Sequence, residues 1–261
     1  MSAQQLLNYQ FTACQAAPAQ TMVFIHGLFG DMNNLGIIAR SFSQKYHILR
    51  LDLRNHGQSF HSDEMNYDLM AQDVIQVLEH LQLHNVILVG HSMGGKTAMR
   101  VAGLRPERLA KLIVIDIAPI SYQHNWHNDV FMGLFAVKQA NAASRQSAKP
   151  LLAQHIKQES IQQFMLKSFD ANATEKFRFN TTALSQHYAD IMDWQPQPPC
   201  YLPTLFIKGG LSNYISPEYS EIILAQFPQA TSFTINGAGH WVHAEKPDFV
   251  IRAIERFVQS N

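Results

Sequence analysis

The sequence predicts an α/β fold: a mostly parallel, twisted sheet with helices on both of its faces. Short apolar runs alternate with segments whose apolar residues recur at helical spacing, which is typical of βαβ units. The runs are continuous rather than alternating, as in strands buried on both faces of a parallel sheet. A chain of 261 residues that is 46% apolar is also long enough for a sizeable core.

The strands are predicted from runs such as TMVFIH, YHILRL, VILV, LIVI, TLFIK and TSFTI. In chain order they span residues 21–26, 46–51, 86–89, 112–115, 204–208 and 231–235. The helices are predicted from apolar residues three or four positions apart, such as Met70, Val74, Val77 and Leu81. They span residues 34–42, 69–81 and 92–104, and a last helix begins at Pro247.

Residues 119–202 interrupt this alternation. They contain no clear strand, are rich in Gln, Asn, Ala and His, and have helical spacing over 130–137 and 160–169. We therefore predict a helical lid over 119–202, inserted after the strand that ends at Asp116. Residues 1–118 and 203–261 are predicted to form the core domain.

The charges balance, with 20 Lys and Arg against 20 Asp and Glu. This balance gives no electrostatic footprint for a nucleic acid partner. No run approaches the ~18 apolar residues of a membrane span, and the first residues lack the features of a leader peptide. With two cysteines far apart in sequence, we expect reduced thiols and a cytoplasmic protein. Oligomeric state is not predictable from these features.

The segment GHSMG, residues 90–94, matches the pattern G-x-S-x-G. A predicted strand precedes it and a predicted helix follows, which is the context of a nucleophile turn. Such a turn strains the backbone of Ser92 and presents its hydroxyl above the sheet at a helix N-terminus. The competing interpretation is a tight structural turn with an exposed serine.

A serine hydroxyl needs a base to become a nucleophile. The segment NGAGH follows the predicted strand 231–235 and ends at His240. We prefer His240 to His243 because Gly237 and Gly239 free the backbone beside it; His243 is expected to be a packing residue. Other histidines are expected to be solvated or capping groups: His56, His61, His80, His84, His124, His127, His155 and His187.

The segment HGLFG, residues 26–30, ends the first predicted strand. Acyl transfer creates an oxyanion, which backbone N–H donors stabilise. We predict that the amides of Leu28 and Met93 supply these donors. The alternatives are that HGLFG is only a glycine-rich turn, and that Phe29 lines an acyl pocket.

Together these motifs resemble the α/β-hydrolase superfamily over nearly the whole chain. LDLRNHGQS, GHSMGGKTAM and IKGGLSNYI are similar to bacterial YbfF-type esterases and their mitochondrial abhydrolase relatives, and GAGHWVHAEKP fits the superfamily. The resemblance implies an α/β-hydrolase fold and a carboxylic-ester hydrolase. Some members also accept acyl-CoA thioesters.

The superfamily usually places its third catalytic residue, an acid, after the strand TLFIK, where this chain has Ser212. Asp116, at the end of the strand that follows the helix of Ser92, is a sensible origin for that acid, and the YbfF-type pattern also places it there. Asp116 capping the lid's first turn is the alternative, and Asp190 and Asp193 are weaker rivals. A further hypothesis is that Ser212 and Tyr214 hold the acid by hydrogen bonds.

The segment DLRNHGQS, residues 52–59, combines an acid, a base and a hydroxyl. We interpret it as a network that orders a loop, with Asp52 accepting backbone hydrogen bonds. The alternative is that Arg54 meets an acidic substrate group.

We predict a serine esterase that acts on small to medium apolar acyl esters through Ser92, His240 and Asp116. The predicted substrate-binding residues are Phe29, His91, Phe131, Phe135 and Trp241. No cofactor and no metal are expected, and the only expected partner is a small acyl ester or thioester. An acyl-CoA thioesterase and a non-catalytic ligand-binding protein are the alternatives.

Overall fold

The computed structural model describes residues 5–15, 19–123 and 125–260. Residues 1–4, on which the expectation about a leader peptide partly rests, and His124 lie outside the described residues. The strands are β1 (Tyr9–Thr12), β2 (Thr21–Ile25), β3 (His47–Leu51), β4 (Val86–His91), β5 (Leu109–Ile115), β6 (Thr204–Gly209) and β7 (Ala230–Ile235). The helices outside the segment between β5 and β6 are α1 (Gly36–Phe42), α2 (Tyr67–His80), α3 (Met93–Leu104), α9 (Ser220–Gln226), α10 (Val242–Glu245) and α11 (Pro247–Gln259).

The strands form one sheet in the order β1-β3-β2-β4-β5-β6-β7. Neighbours from β3 to β7 are parallel, and β1 pairs antiparallel with β3, with Tyr9 opposite Leu51. The predicted α/β fold with a mostly parallel sheet is therefore confirmed. β1 was not predicted because it is a short edge strand whose residues are largely exposed.

Two apolar layers cover the sheet. Val23 of β2 packs into the layer that contains residues of α2 and α3, whereas Met22 packs into the layer that contains residues of α1 and α11. Because successive side chains point to opposite faces, a strand covered on both sides is apolar at every position. This explains the continuous runs from which the central strands were predicted.

The segment between β5 and β6 is helical. It contains α4 (Asn128–Gln139), α5 (Arg145–Ala153), α6 (Glu159–Lys167), α7 (Thr181–Gln186) and α8 (Tyr188–Met192). The predicted helical stretch 130–137 lies inside α4, and 160–169 overlaps α6. The short helices α5, α7 and α8 were not predicted.

Parallel strands end at the same edge of a sheet, where loops from different parts of the chain meet. The loops after β2, β4, β5, β6 and β7 carry Leu28, Ser92, Asp116, Ser212 and His240, respectively. Across the described ranges, no helix has the length and apolar character that a bilayer crossing requires.

Candidate active site

Ser92 occupies the turn between β4 and α3. Its backbone has φ 52° and ψ −123°, a strained conformation for a residue with a side chain. A β-carbon at Gly90 would overlap the carbonyl of Gly94, and one at Gly94 would overlap the carbonyl oxygen of His26. The glycines on either side of Ser92 are therefore required by the tight strand-to-helix turn.

Ser92, His240 and Asp116 form a chain of hydrogen bonds. Ser92 Oγ lies 3.0 Å from His240 Nε2, and His240 Nδ1 lies 2.8 Å from Asp116 Oδ2. Because a carboxylate only accepts hydrogen bonds, Nδ1 carries the proton and Nε2 faces the serine hydroxyl with its lone pair. The structure thus brings together three residues from the loops after β4, β5 and β7.

Asp116 is fully buried and its carboxylate has three hydrogen-bond partners. Oδ1 accepts from the amide of Gly209 at 2.9 Å, and Oδ2 accepts from Ser212 Oγ as well as from His240. These bonds satisfy a carboxylate that is removed from solvent and fix its orientation. The rival acids contact other groups: Asp190 pairs with His187, and Asp193 accepts from Ser121.

Aromatic rings fix the orientation of His240. Tyr214 stacks on the imidazole at a centroid distance of 3.9 Å and an angle of 22°. Ser212 therefore bonds the acid, as hypothesised, whereas the ring of Tyr214 contacts the imidazole. His91 Nε2 donates to the backbone carbonyl of His240 at 3.0 Å and packs against His243 at 4.2 Å. Burial lowers the pKa of His243 to about 3, so this residue is a neutral packing group.

Met93 directly follows Ser92, and the loop of Leu28 passes beside Ser92, since a β-carbon at Gly27 would lie 3.2 Å from that of Ser92. Among the described residues, neither amide donates a hydrogen bond. The neighbouring amide of Phe29 is occupied, since it donates to His56 Nε2 at 3.2 Å. The two predicted donors are thus available to a substrate oxygen.

Two buried histidines interlock the loop of Leu28 with the loop after β3. His26 Nε2 accepts from the amide of Leu53 at 3.1 Å, and His56 Nε2 accepts from the amide of Phe29 at 3.2 Å. The second nitrogen of each ring donates to a backbone carbonyl, that of Gly27 or Arg54. Burial lowers the pKa of His56 to about 3 and also lowers that of His26, so both rings are neutral acceptors.

His56 was expected to be solvated or capping, and that expectation is wrong, because the ring is fully buried. The interpretation of its segment as a loop-ordering network agrees with the structure. Asp52 accepts from the amides of Met32 and Gln58 and from Asn8 Nδ2. Arg54 does not face a substrate, because it forms a buried ion pair with Asp73 at 2.6 Å.

A cavity of about 590 Å³ contains Ser92 and His240. Three of the predicted substrate-binding residues line it, namely Phe29, His91 and Trp241. On the side of the helical segment, the wall includes Trp126, His127, Val130, Ile161, Phe164 and Met165.

Phe131 and Phe135 do not line this cavity, which corrects their prediction as substrate-binding residues. The turn of α4 directs Val130 to the cavity and Phe131 into the core of the helical segment, where its ring meets Phe29 edge-on at 5.3 Å. Phe135 is half-buried and packs against the same core. Sequence spacing showed that α4 is apolar on most sides but not which side faces Ser92.

Lys96 is a buried cation that the sequence did not single out. It lies on α3, and its Nζ donates to the carbonyls of Met192 and Asp193 at 3.0 and 2.9 Å. The ammonium also lies 4.8 Å from the centre of the Tyr122 ring. Burial lowers its pKa to about 7. Lys96 therefore ties the end of α8 to the helix that carries Ser92.

The chain is similar to known proteins over nearly its full length. A family model for the alpha/beta hydrolase fold matches residues 20–247. The chain belongs to the α/β-hydrolase family. Among curated relatives, esterase YbfF of Escherichia coli is 44% identical over 237 residues, which cover 91% of this chain and 92% of that protein. The mouse sn-1-specific diacylglycerol lipase ABHD11 is 37% identical over 251 residues, which cover 93% of this chain and 82% of that protein.

Among solved structures, this α/β hydrolase is similar to an esterase from a marine microorganism. The two share 31% sequence identity with a TM-score of 0.91, and the match covers 97% of this chain and 100% of the other. Names and folds agree on an enzyme of the esterase/lipase type. This result confirms the resemblance to α/β hydrolases and to the YbfF and ABHD11 proteins.

Proposed function

We propose that this α/β hydrolase cleaves carboxylic esters of small to medium apolar acids through an acyl-enzyme on Ser92. One observation carries the proposal: the chain from Ser92 Oγ to His240 to Asp116, with separations of 3.0 and 2.8 Å. This arrangement satisfies the geometric requirement for an activated serine, a nucleophile bonded to a base that a third group orients.

In the first half-reaction, His240 Nε2 takes the hydroxyl proton while Ser92 Oγ bonds to the ester carbonyl carbon. The carbonyl oxygen gains the negative charge, and the amides of Leu28 and Met93 donate to it. Asp116 stabilises the imidazolium without taking its proton. His240 then protonates the alkoxide as the bond between carbonyl carbon and alkoxy oxygen breaks. In the second half-reaction, water attacks the acyl-enzyme by the same steps and releases the acid.

The proposed lid, residues 119–202, supplies much of the cavity's apolar wall. Val130, Ile161, Phe164 and Met165 lie on its helices and contribute to the cavity that holds Ser92. Such a wall favours apolar acyl groups, because binding removes apolar surface from water. We therefore propose that 119–202 determines substrate choice, whereas the core of 1–118 and 203–261 performs the chemistry.

Three variants test the roles of the site residues. Ser92→Ala should lower turnover on p-nitrophenyl butyrate by about 10⁶. Asp116→Asn should lower it by about 10⁴, whereas the matched control Asp193→Asn, on the proposed lid, should stay near the wild type. Full activity of Asp116→Asn would reject this residue as the orienting acid.

An acid transplant tests the geometry independently. Ser212 Oγ contacts the same Asp116 oxygen that bonds His240. A carboxylate at position 212 should therefore reach His240 Nδ1, and Asp116→Asn with Ser212→Asp should recover about 10-fold or more of the activity that Asp116→Asn loses. A double variant as inactive as Asp116→Asn would contradict this expectation.

Labelling and matched substrates separate the alternative functions. A fluorophosphonate should label Ser92 stoichiometrically; an unreactive serine in folded protein would instead favour a ligand-binding role. Matched esters and acyl-CoA thioesters of equal acyl length should be hydrolysed with the ester preferred. A higher kcat/KM on the thioesters would favour the thioesterase alternative.

A further inference from the structure

His127 is a histidine on the wall of the cavity that holds Ser92 and His240. It immediately precedes α4, and its ring meets those of Phe29 and Tyr188 edge-on, at centroid distances of 6.0 and 5.6 Å. Burial, and to a lesser extent His240, lowers the pKa of His127 to about 4. The ring is therefore neutral at pH 7. His127 occupies the N-cap position of α4, but its side chain makes no capping hydrogen bond there and contacts Tyr188 instead.

One ring nitrogen of His127 already has a partner. Nδ1 lies 2.7 Å from the hydroxyl of Tyr188. Burial raises the pKa of Tyr188 to about 12, so the phenol keeps its proton at pH 7. We assign this hydroxyl as the donor of the hydrogen bond and Nδ1 as its acceptor. A neutral imidazole that accepts at Nδ1 carries its own proton at Nε2.

Within the part of the chain that the structure describes, Nε2 has no hydrogen-bond partner, and it is not one of the side-chain atoms that are buried without a partner. Nε2 is therefore accessible, and because His127 lines the cavity, we infer that the Nε2–H group faces it. Apart from Gln158, the surrounding wall from the helical segment is apolar, with Trp126, Val130, Ile161, Phe164 and Met165. A donor on such a wall discriminates between ligands, because an apolar group bound against it would leave the N–H unpaired.

We propose that His127 Nε2–H donates a hydrogen bond to an uncharged oxygen of the substrate outside the scissile ester. An ether, a hydroxyl or a second ester carbonyl supplies such an oxygen. The inference rests on the proposed esterase function and makes His127 a specificity-determining residue. The preferred substrates are then oxygenated esters rather than plain alkanoates of the same length.

Substrate pairs that differ by one CH₂-to-oxygen exchange test this inference. On the acyl side, the pairs are p-nitrophenyl butyrate with p-nitrophenyl methoxyacetate, and p-nitrophenyl pentanoate with p-nitrophenyl 3-methoxypropanoate. On the alcohol side, butyl acetate is paired with 2-methoxyethyl acetate. The enzymes are the wild type, His127→Phe, which keeps a ring without the donor, and His127→Gln, which keeps an N–H donor. Val130→Ala is the control, because it changes the same wall without changing its donors.

In each pair, kcat/KM for the oxygenated ester is divided by kcat/KM for the hydrocarbon ester. On at least one side of the ester, this ratio should be about 5- to 10-fold higher for the wild type than for His127→Phe. His127→Gln should recover part of the difference, and Val130→Ala should keep the wild-type ratio. If His127→Phe does not fold, His127→Leu gives the same comparison.

Equal ratios for the wild type and the variant without the donor, in every pair, overturn the role of His127. That outcome leaves the esterase function intact, because the esters are still hydrolysed. If the wild type hydrolyses none of the esters and a fluorophosphonate does not label Ser92, the proposed function and this inference both fail.

Discussion

Acidification from pH 7 to pH 5 should destabilise this protein strongly, because several of its histidines are buried in the neutral form. Burial lowers the pKa of His56 and His243 to about 3 and that of His127 to about 4. Burial also lowers the pKa of His26 and His91. Between these values and the unfolded value of about 6.5, the unfolded chain binds more protons than the folded one. Stability is therefore fully present above pH 6.5 and is lost as the pH falls.

The size of the loss follows from proton linkage. A histidine with a pKa of about 6.5 unfolded and 4 or less folded loses about 2 kcal/mol of stabilisation between pH 7 and pH 5. For His56, His127 and His243 together, the loss is about 6 kcal/mol, and His26 and His91 act in the same direction. A domain's total stability is of the order of 5 to 15 kcal/mol, so unfolding near pH 5 is expected.

Urea unfolding at pH 7, 6 and 5, followed by tryptophan fluorescence and circular dichroism, measures this dependence. His243→Gln removes one buried titrating group, so its free energy of unfolding should fall by about 2 kcal/mol less than that of the wild type. His80→Gln is the matched control, because His80 is exposed and should leave the pH dependence unchanged. A wild-type free energy of unfolding that changes by less than about 2 kcal/mol between pH 7 and 5 would refute the reasoning.

Three further substitutions test other parts of the structure. As the pH rises from 8 to 10, the free energy of unfolding of the wild type should increase by about 1.4 kcal/mol per pH unit relative to that of Lys96→Met. The reason is that Lys96 is neutral in the folded protein and protonated in the unfolded chain over this range. An equal pH dependence of the free energy of unfolding in the two proteins would contradict this. His56 accepts from the amide of Phe29 and so holds the loop of Leu28 in place. His56→Leu should therefore lower kcat by about 10- to 100-fold with little change in KM, and His56→Gln, which keeps an acceptor, should be less impaired. A change confined to KM would reject this role of His56 in positioning the loop. Gly90→Ala should abolish soluble expression because its β-carbon overlaps Gly94, whereas Gly36→Ala, which meets only flexible arginine ends, should express normally.

The central sheet was predictable from the sequence because its strands are covered on both faces. Burial on two sides makes most positions of β2, β4 and β5 apolar, and that run is visible without knowing the fold. The edge strand β1 and the short helices α5 and α7 lack such a signal. Their formation depends on neighbours that are distant in sequence.

The same distinction between local and long-range determinants applies to the residues of the candidate site. Ser92 was predictable because the turn that presents it requires glycines at fixed positions, 90 and 94. The roles of His56 and His127 were not, because burial and pairing of a histidine depend on long-range contacts. His127 meets Tyr188, which is 61 positions away, and His56 meets Phe29, which is 27 positions away. The face that α4 turns toward Ser92 depends likewise on how the helical segment docks.

The position of the acid depends on which strands are neighbours in the sheet and not on the order of the residues along the chain. β5 and β6 are parallel neighbours, with Ile115 paired to Ile207, so the loops after them begin at the same edge of the sheet. Asp116 and Ser212 come from these two loops, and their side chains meet in a hydrogen bond. A carboxylate side chain on either loop would therefore lie close to His240. The acid that orients His240 is therefore identified by its hydrogen bond to the imidazole and not by its position along the chain.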